Sequence, residues 1–419
     1  MEKPAYRLCY LKTKTIKKTN KYQYIEDFKR LGFGLFCHFG LYSVVGKGEW
    51  YLDGVRFEGQ DEYNALMEKF EIAEDWAKEL VATAKAAGCK YITLTTRHHD
   101  GFSLFDTCGL NTFDAPHSAC GRDLVREFVD ECNKEGIVPF FYHTLLDWWK
   151  PEFKKDFPAY IDYLVDSVEV LCKNYDKIGG LWFDGMWAKP EENWQEDRLY
   201  ATIRKYQPEA MIINNTGLNA LGKTGHPEID SVTFERGAPT KVNSDNKPIA
   251  GEVCQGITDH WGYAEDDICV KSVAELVELL VDCRKYQHNL LLNVGPMADG
   301  KLTEIESGTL KYMGKWVAKN EAVVYNCVPA DIQAENADIV TDGKYYYALI
   351  KKVPMSANAH VARVEDNLRI TLKTDKRIVS AVWLDNNAPV SAFDECGFYA
   401  EPFMYGTSLG VRVAKLELE

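Results

Sequence analysis

The feature that most limits the fold is a repeated switch between short apolar runs and amphipathic stretches at helical spacing. Phe33 to Gly40 (FGLFCHFG) reads as a buried strand. Trp76, Leu80, Val81, Ala84 and Ala87 then share one helical face, with Gly88 placed to end the helix. Tyr91 to Thr95 reads as the next strand. Leu124, Phe128, Val129 and Cys132 form a second stripe closed by Gly136, and Ile137 to Tyr142 follows as a strand. Helix 157–175 precedes Gly180–Phe183, and helix 196–206 precedes Met211–Ile213. Weaker strands are expected at Val232–Phe234 and around Ile249–Val253, and helix Val273–Tyr286 leads into Leu290–Asn293. Strands that alternate with helices form parallel sheets. About eight such units before residue 328 suit a (β/α)₈-like, TIM-type barrel. The first strand is not followed by a glycine-rich phosphate loop, which counts against a dinucleotide-binding sheet.

The pattern changes after residue 328. Tyr345–Ile350, Leu368–Leu372, Ile378–Leu384, Phe398–Met404 and Val411–Leu416 read as short, mostly alternating strands between polar turns. The expected division is a catalytic barrel over 1–328 and a small C-terminal antiparallel β-sandwich over 329–419.

Composition excludes several partners. Lys and Arg number 49 against 63 Asp and Glu, a net charge of −14, which repels a phosphate backbone and makes nucleic acid an unsuitable partner. No window approaches 18 uncharged apolar residues, so no membrane span is expected. The 12 cysteines form no CxxC pair, which fits free, buried thiols better than a zinc site or a disulfide framework. The first 22 residues are basic and lack an apolar core. A cytoplasmic protein is therefore expected, unless a signal peptide has been removed. The oligomeric state is left open.

Barrel enzymes place their chemistry at the C-terminal ends of the strands. Those ends carry His38 and then Glu49-Trp50; His98-His99-Asp100; Tyr142-His143; Trp182-Phe183-Asp184 with Trp187; Phe234-Glu235; and Glu252, followed by His260-Trp261. Aromatic faces beside polar tips suit a pyranose, whose apolar face stacks on rings while its hydroxyls bond to His, Asp and Glu. Asp184 is the candidate nucleophile, and Glu235 or Glu252 the second carboxyl, raised by burial to act as a proton donor. Each residue alone has a plainer reading. Asp184 could cap the next turn, His38 could be a satisfied core histidine, and Glu49, Glu235 and Glu252 could be solvated loop acids. Cys37 and Cys254 read as packing residues. His98-His99-Asp100 resembles a metal cluster, but adjacent strand residues face opposite ways, so only one histidine can point at a given centre without a bend, and no metal or other cofactor is expected.

Together FGLFCHFGLYSVVGKGEWY, YITLTTRHHDGFSLFDT, GRDLVREF, LWFDG, GEVC…HWGY and NLLLNVGPMADG resemble, in the same order, the α-L-fucosidases of glycoside hydrolase family 29. The resemblance implies a retaining, metal-independent exo-glycosidase acting on fucosylated oligosaccharides. It places the nucleophile on Asp184 and the sugar-binding residues on His38, Glu49, Trp50, His98 and His99. Tyr142, His143, Trp182 and Trp261 complete the expected lining. The family often has Tyr at the position of His143. For the acid/base, Glu235 is preferred and Glu252 is second. The competing readings are a non-catalytic fucose-binding barrel and a metal-dependent barrel hydrolase.

Overall fold

Eight strands pair in parallel, each with the next in chain order, and the eighth returns to the first to close a barrel. They are β1 (Phe33–Cys37), β2 (Tyr91–Arg97), β3 (Val138–Thr144), β4 (Gly180–Asp184), β5 (Met211–Asn214), β6 (Ser231–Glu235), β7 (Ala250–Gly256) and β8 (Asn289–Val294). Closure is in register, with Phe33 opposite Leu290 and Cys37 opposite Val294. The computed structural model describes residues 21–53, 59–216, 222–243, 246–356 and 368–419; the basic segment before residue 21, with Cys9, lies outside them.

The strands read as continuous apolar runs because both faces are covered. Outward residues such as Leu35, Ile92, Phe141, Leu181, Ile212 and Leu292 pack beneath the helices. Inward residues (Phe36, Tyr91, Phe140, Tyr142, Trp182, Met211, Ile213, Leu291) fill the interior. Gly34 makes room for this filling, since a Cβ there would lie 2.3 Å from the Tyr91 ring. The helix Gln23–Leu31, which the periodicity did not reveal, plugs the floor, with Phe28 5.6 Å and 5.5 Å from the rings of Tyr91 and Phe140.

Around the barrel run the helices Trp76–Ala87, Leu124–Glu135, Phe157–Asn174, Glu196–Tyr206 and Val273–Arg284, at the expected places. Among the described residues no helix separates β5 from β6 or β6 from β7. A second unanticipated helix, Glu304–Lys319, opens with a Thr303/Glu306 capping box and packs on Trp76–Ala87. No helix of the described residues is long and apolar enough to cross a membrane.

Beyond the barrel lies an antiparallel five-stranded sheet in the order Ile378–Trp383, Val411–Leu418, Tyr346–Lys351, Asp338–Thr341, Val328–Pro329. It faces a three-stranded sheet built from Gln333–Glu335, Leu368–Lys373 and Gly397–Ala400, and Ile350, Ile370, Trp383, Phe398 and Leu416 form the core between them. The expected strand Phe398–Met404 is in fact two, Gly397–Ala400 and Phe403–Met404, interrupted at Pro402, which has no N–H to offer a ladder. Trp316 Nε1 donates to the Val411 carbonyl and ties this region to the barrel's last helix.

Candidate active site

Strand β4 delivers Asp184. Leu181 and Phe183 point into the helix layer and Trp182 into the barrel, so Asp184 emerges on the inner side at the mouth. Gly185 follows at φ +98°, and a Cβ there would sit 2.9 Å from Leu146 Cδ2, so only glycine lets the chain turn away at once. Three donors hold the carboxylate: the Tyr142 hydroxyl to Oδ2 at 3.2 Å, and Trp187 Nε1 and Asn215 Nδ2 to Oδ1, each at 3.3 Å. His99 Nε2 lies 3.5 Å from Oδ2. Burial pushes the Asp184 pKa up, but hydrogen bonding and charge from His99, with the Trp187 and Gly185 N–H groups, outweigh it and hold the acid below its ordinary range.

Strand β6 ends on Glu235, which faces the same cleft. Asn215 Nδ2 donates to Glu235 Oε2 at 2.7 Å while also serving Asp184 Oδ1. The two carboxylate oxygens are therefore no more than 6.0 Å apart, even if the two contacts lay end to end. Retaining glycosidases space their carboxyls at about 5–5.5 Å and inverting ones at about 6.5–9.5 Å. Burial, and then the charge of Asp184, raise the Glu235 pKa against the opposing effects of Asn215 and Arg236. Neighbouring acids are thus pushed in opposite directions, one toward the anion and one toward the protonated form.

Rings wall the cleft. Trp182 and Tyr142 stack 5.7 Å apart at 21°, and Trp261 stacks on His38 at 5.3 Å. Trp50, 41% exposed, lies against Trp187 and meets the edges of His99 and Trp148. His38 Nδ1 is 2.6 Å from Asn293 Oδ1, and burial pushes its pKa down to about 3, so the ring is neutral. His98 is also held neutral by burial and by its neighbours His99 and His38, and its Nδ1 has no partner among the described residues.

The structure supplies the bend that lets both His98 and His99 face the site. Both line it, with ring centroids 4.2 Å apart. Strand β2 ends at Arg97, and its register slips between Thr95 and Arg97, so the strict alternation no longer applies beyond that point. His143 does not line the cleft. It follows inward-facing Tyr142, so its ring points into the helix layer, with Nδ1 3.0 Å from Thr96 Oγ1 and Nε2 3.1 Å from Ser167 Oγ. Glu252 is not at the mouth either. It sits midway along β7 in the barrel interior, accepting from the Tyr91 hydroxyl at 2.5 Å and from Trp182 Nε1 at 2.9 Å. Glu49 is buried behind the wall, where Oε2 accepts from the Gly262 N–H at 2.7 Å and fixes the loop that carries Trp261.

Phe36 and Cys254 also line the cleft, although the sequence marked neither for it; burial pushes the Cys254 thiol far up, as for the buried Cys37. Asn215 was missed as well. It lies just past β5, and applying the strand-end rule to Met211–Asn214 would have found it. Among the described residues one group of possible metal ligands is Asp259, Asp267 and Cys269, beyond β7. There Asp267 Oδ2 is already occupied by His260 and by the Asp259 N–H.

Comparison with known proteins agrees with this geometry. The family profile described as alpha-L-fucosidase matches residues 10–322. The human tissue alpha-L-fucosidase is 27% identical over 340 residues, covering 74% of this chain and 70% of its own. The structure of alpha-L-fucosidase isoenzyme 1 from Paenibacillus thiaminolyticus superposes with a TM-score of 0.80 at 29% identity, covering 95% of this chain and 99% of that one. A GH29 alpha-L-fucosidase from Bacteroides thetaiotaomicron shares the fold at 22% identity, with a TM-score of 0.78 over 94% of this chain and 95% of its own. The chain belongs to the α-L-fucosidase family, glycoside hydrolase family 29.

Proposed function

We propose that this protein is a retaining exo-α-L-fucosidase that releases terminal α-L-fucosyl residues from fucosylated oligosaccharides, with Asp184 as nucleophile and Glu235 as acid/base. Asp184 attacks the anomeric carbon and forms an ester as the bond to the leaving oxygen breaks, and Glu235 protonates that oxygen. Glu235, now anionic, takes a proton from water, which attacks the same carbon and frees Asp184. The sugar stacks on the Trp182–Tyr142 pair, with the His38 and His98 rings neutral and able to accept from its hydroxyls.

The observation that carries this reading is the pair of carboxyls at the mouth, joined through one amide nitrogen and shifted oppositely in pKa. A barrel that only bound the sugar would have no use for such a pair. The test is Glu235→Ala with two substrates. Activity on natural fucosides is expected to collapse, while an aryl fucoside with a good leaving group stays reactive and is accelerated by azide, which needs no general base. Near-normal turnover of natural fucosides by this variant would remove Glu235 from the role.

A further inference from the structure

We infer that Asn215 is a positioning residue for this reaction, a single amide that ties the two working carboxyls together and serves whichever of them carries the charge. The inference rests on the proposed assignments of Asp184 and Glu235. Its Nδ2 has two hydrogens and faces two acceptors, Asp184 Oδ1 at 3.3 Å and Glu235 Oε2 at 2.7 Å. The amide cannot turn round freely. The Thr233 hydroxyl donates to its Oδ1 at 2.9 Å, and a reversed amide would set its own oxygen against both acids. The backbone is fixed too, since the Asn215 N–H donates to the Phe183 carbonyl at 2.8 Å, beside the nucleophile. The side chain is buried, so these bonds are made away from bulk water.

This arrangement matches what double displacement asks for. At the start the negative charge is on Asp184. Once the ester forms and Glu235 has given up its proton, the charge is on Glu235. A donor in contact with both oxygens serves whichever acid is charged without moving. It also favours ionisation of each acid, which eases the passage of the Glu235 proton to the leaving oxygen.

Other groups bear on the same pair and must be held constant. They are His99 from the loop after β2, Tyr142 from β3, His38 beyond β1, Glu49 in the following loop, Cys254 on β7 and Arg236 beside Glu235. Asn215→Leu alters none of them; it removes the shared donor together with the Oδ1 that accepts from Thr233.

The experiment is the pH profile of kcat/KM for an aryl α-L-fucoside with a poor leaving group, whose departure needs the proton from Glu235, in wild type, Asn215→Leu, Thr233→Val and Thr233→Ser, with thermal unfolding as the folding control. Loss of a charge-assisted hydrogen bond is expected to move the Glu235-dependent basic limb up by about one pH unit in Asn215→Leu and to lower kcat/KM at least about tenfold. Thr233→Val, nearly isosteric, is expected to move the limb the same way by less, and Thr233→Ser to restore it. Uniform loss of activity with unmoved limbs in both Asn215→Leu and Thr233→Val would leave Asn215 a structural residue only. Should Asn215→Leu fail to fold, Thr233→Val decides alone. Glu235→Gln separates the two claims: if the basic limb survives in that variant, the assignment of Glu235 has failed; if it disappears there but stays put in the Asn215 and Thr233 variants, only the inference about Asn215 has.

Discussion

Glu252→Gln tests whether the buried acid of β7 is architecture or chemistry. Both oxygens of Glu252 are already taken, by the Tyr91 hydroxyl and by Trp182 Nε1. Burial pushes its carboxyl up from 4.5 to about 7, with the two donors opposing. Below pH 4.5 the group is protonated whether the chain is folded or not. Between there and pH 7 the unfolded chain ionises and the folded one does not, so stability falls as pH rises; above pH 7 the loss levels off at about 3 kcal/mol. Glutamine copies the neutral acid, its NH₂ donating to the Tyr91 oxygen and its carbonyl accepting from Trp182. The variant is expected to match wild type near pH 4.5 and to exceed it by about 3 kcal/mol at pH 8. Urea unfolding of both proteins across that range measures the difference. A gap that does not change with pH would refute the reasoning. Turnover of natural fucosides should survive with its basic limb in place, because Glu252 lies under Trp182 and does not line the cleft. Collapse of that activity, with turnover of an activated aryl fucoside kept and accelerated by azide, would instead make Glu252 the acid/base.

Asp184→Asn is expected to lower kcat on the order of 10⁴-fold, with the circular dichroism spectrum and unfolding midpoint close to wild type, because the amide keeps the shape and loses the nucleophile; normal turnover would end its assignment. Trp50→Ala removes a half-exposed indole from the rim, so KM should rise about fivefold with kcat nearly unchanged, from an aromatic contact of about 1 kcal/mol. A fall in kcat alone would place Trp50 in the chemistry and not in binding.

The difference between Glu235 and Glu252 shows where reading the sequence stopped. Both are acids in β-rich segments just before loops, and nothing in their neighbours separates them. Strand β6 stops at Glu235, whereas β7 continues four residues past Glu252 to Gly256, so the first acid lies at the mouth and the second within the barrel. His143 was misread for a related reason. Its place at a strand end was legible, but it follows inward Tyr142, and period two sends it outward. His98 and His99 broke that same period, because the chain leaves the sheet at Arg97.

What the linear order of residues determined was the alternation of elements, and with it a closed parallel barrel whose strand ends carry Asp184, Glu235 and a set of rings. These follow from local periodicity and from the rule that a parallel sheet buries both faces. Only the tertiary structure decided which strand-end side chains converge, that Asn215 stands between the two acids, and that one acid is held low and the other raised. Those facts depend on neighbours as much as 255 residues apart, as between His38 and Asn293, and on how far each strand runs before it turns. Burial and charge act through space, so a pKa or a shared hydrogen-bond donor has no signature in the chain until distant segments are brought together.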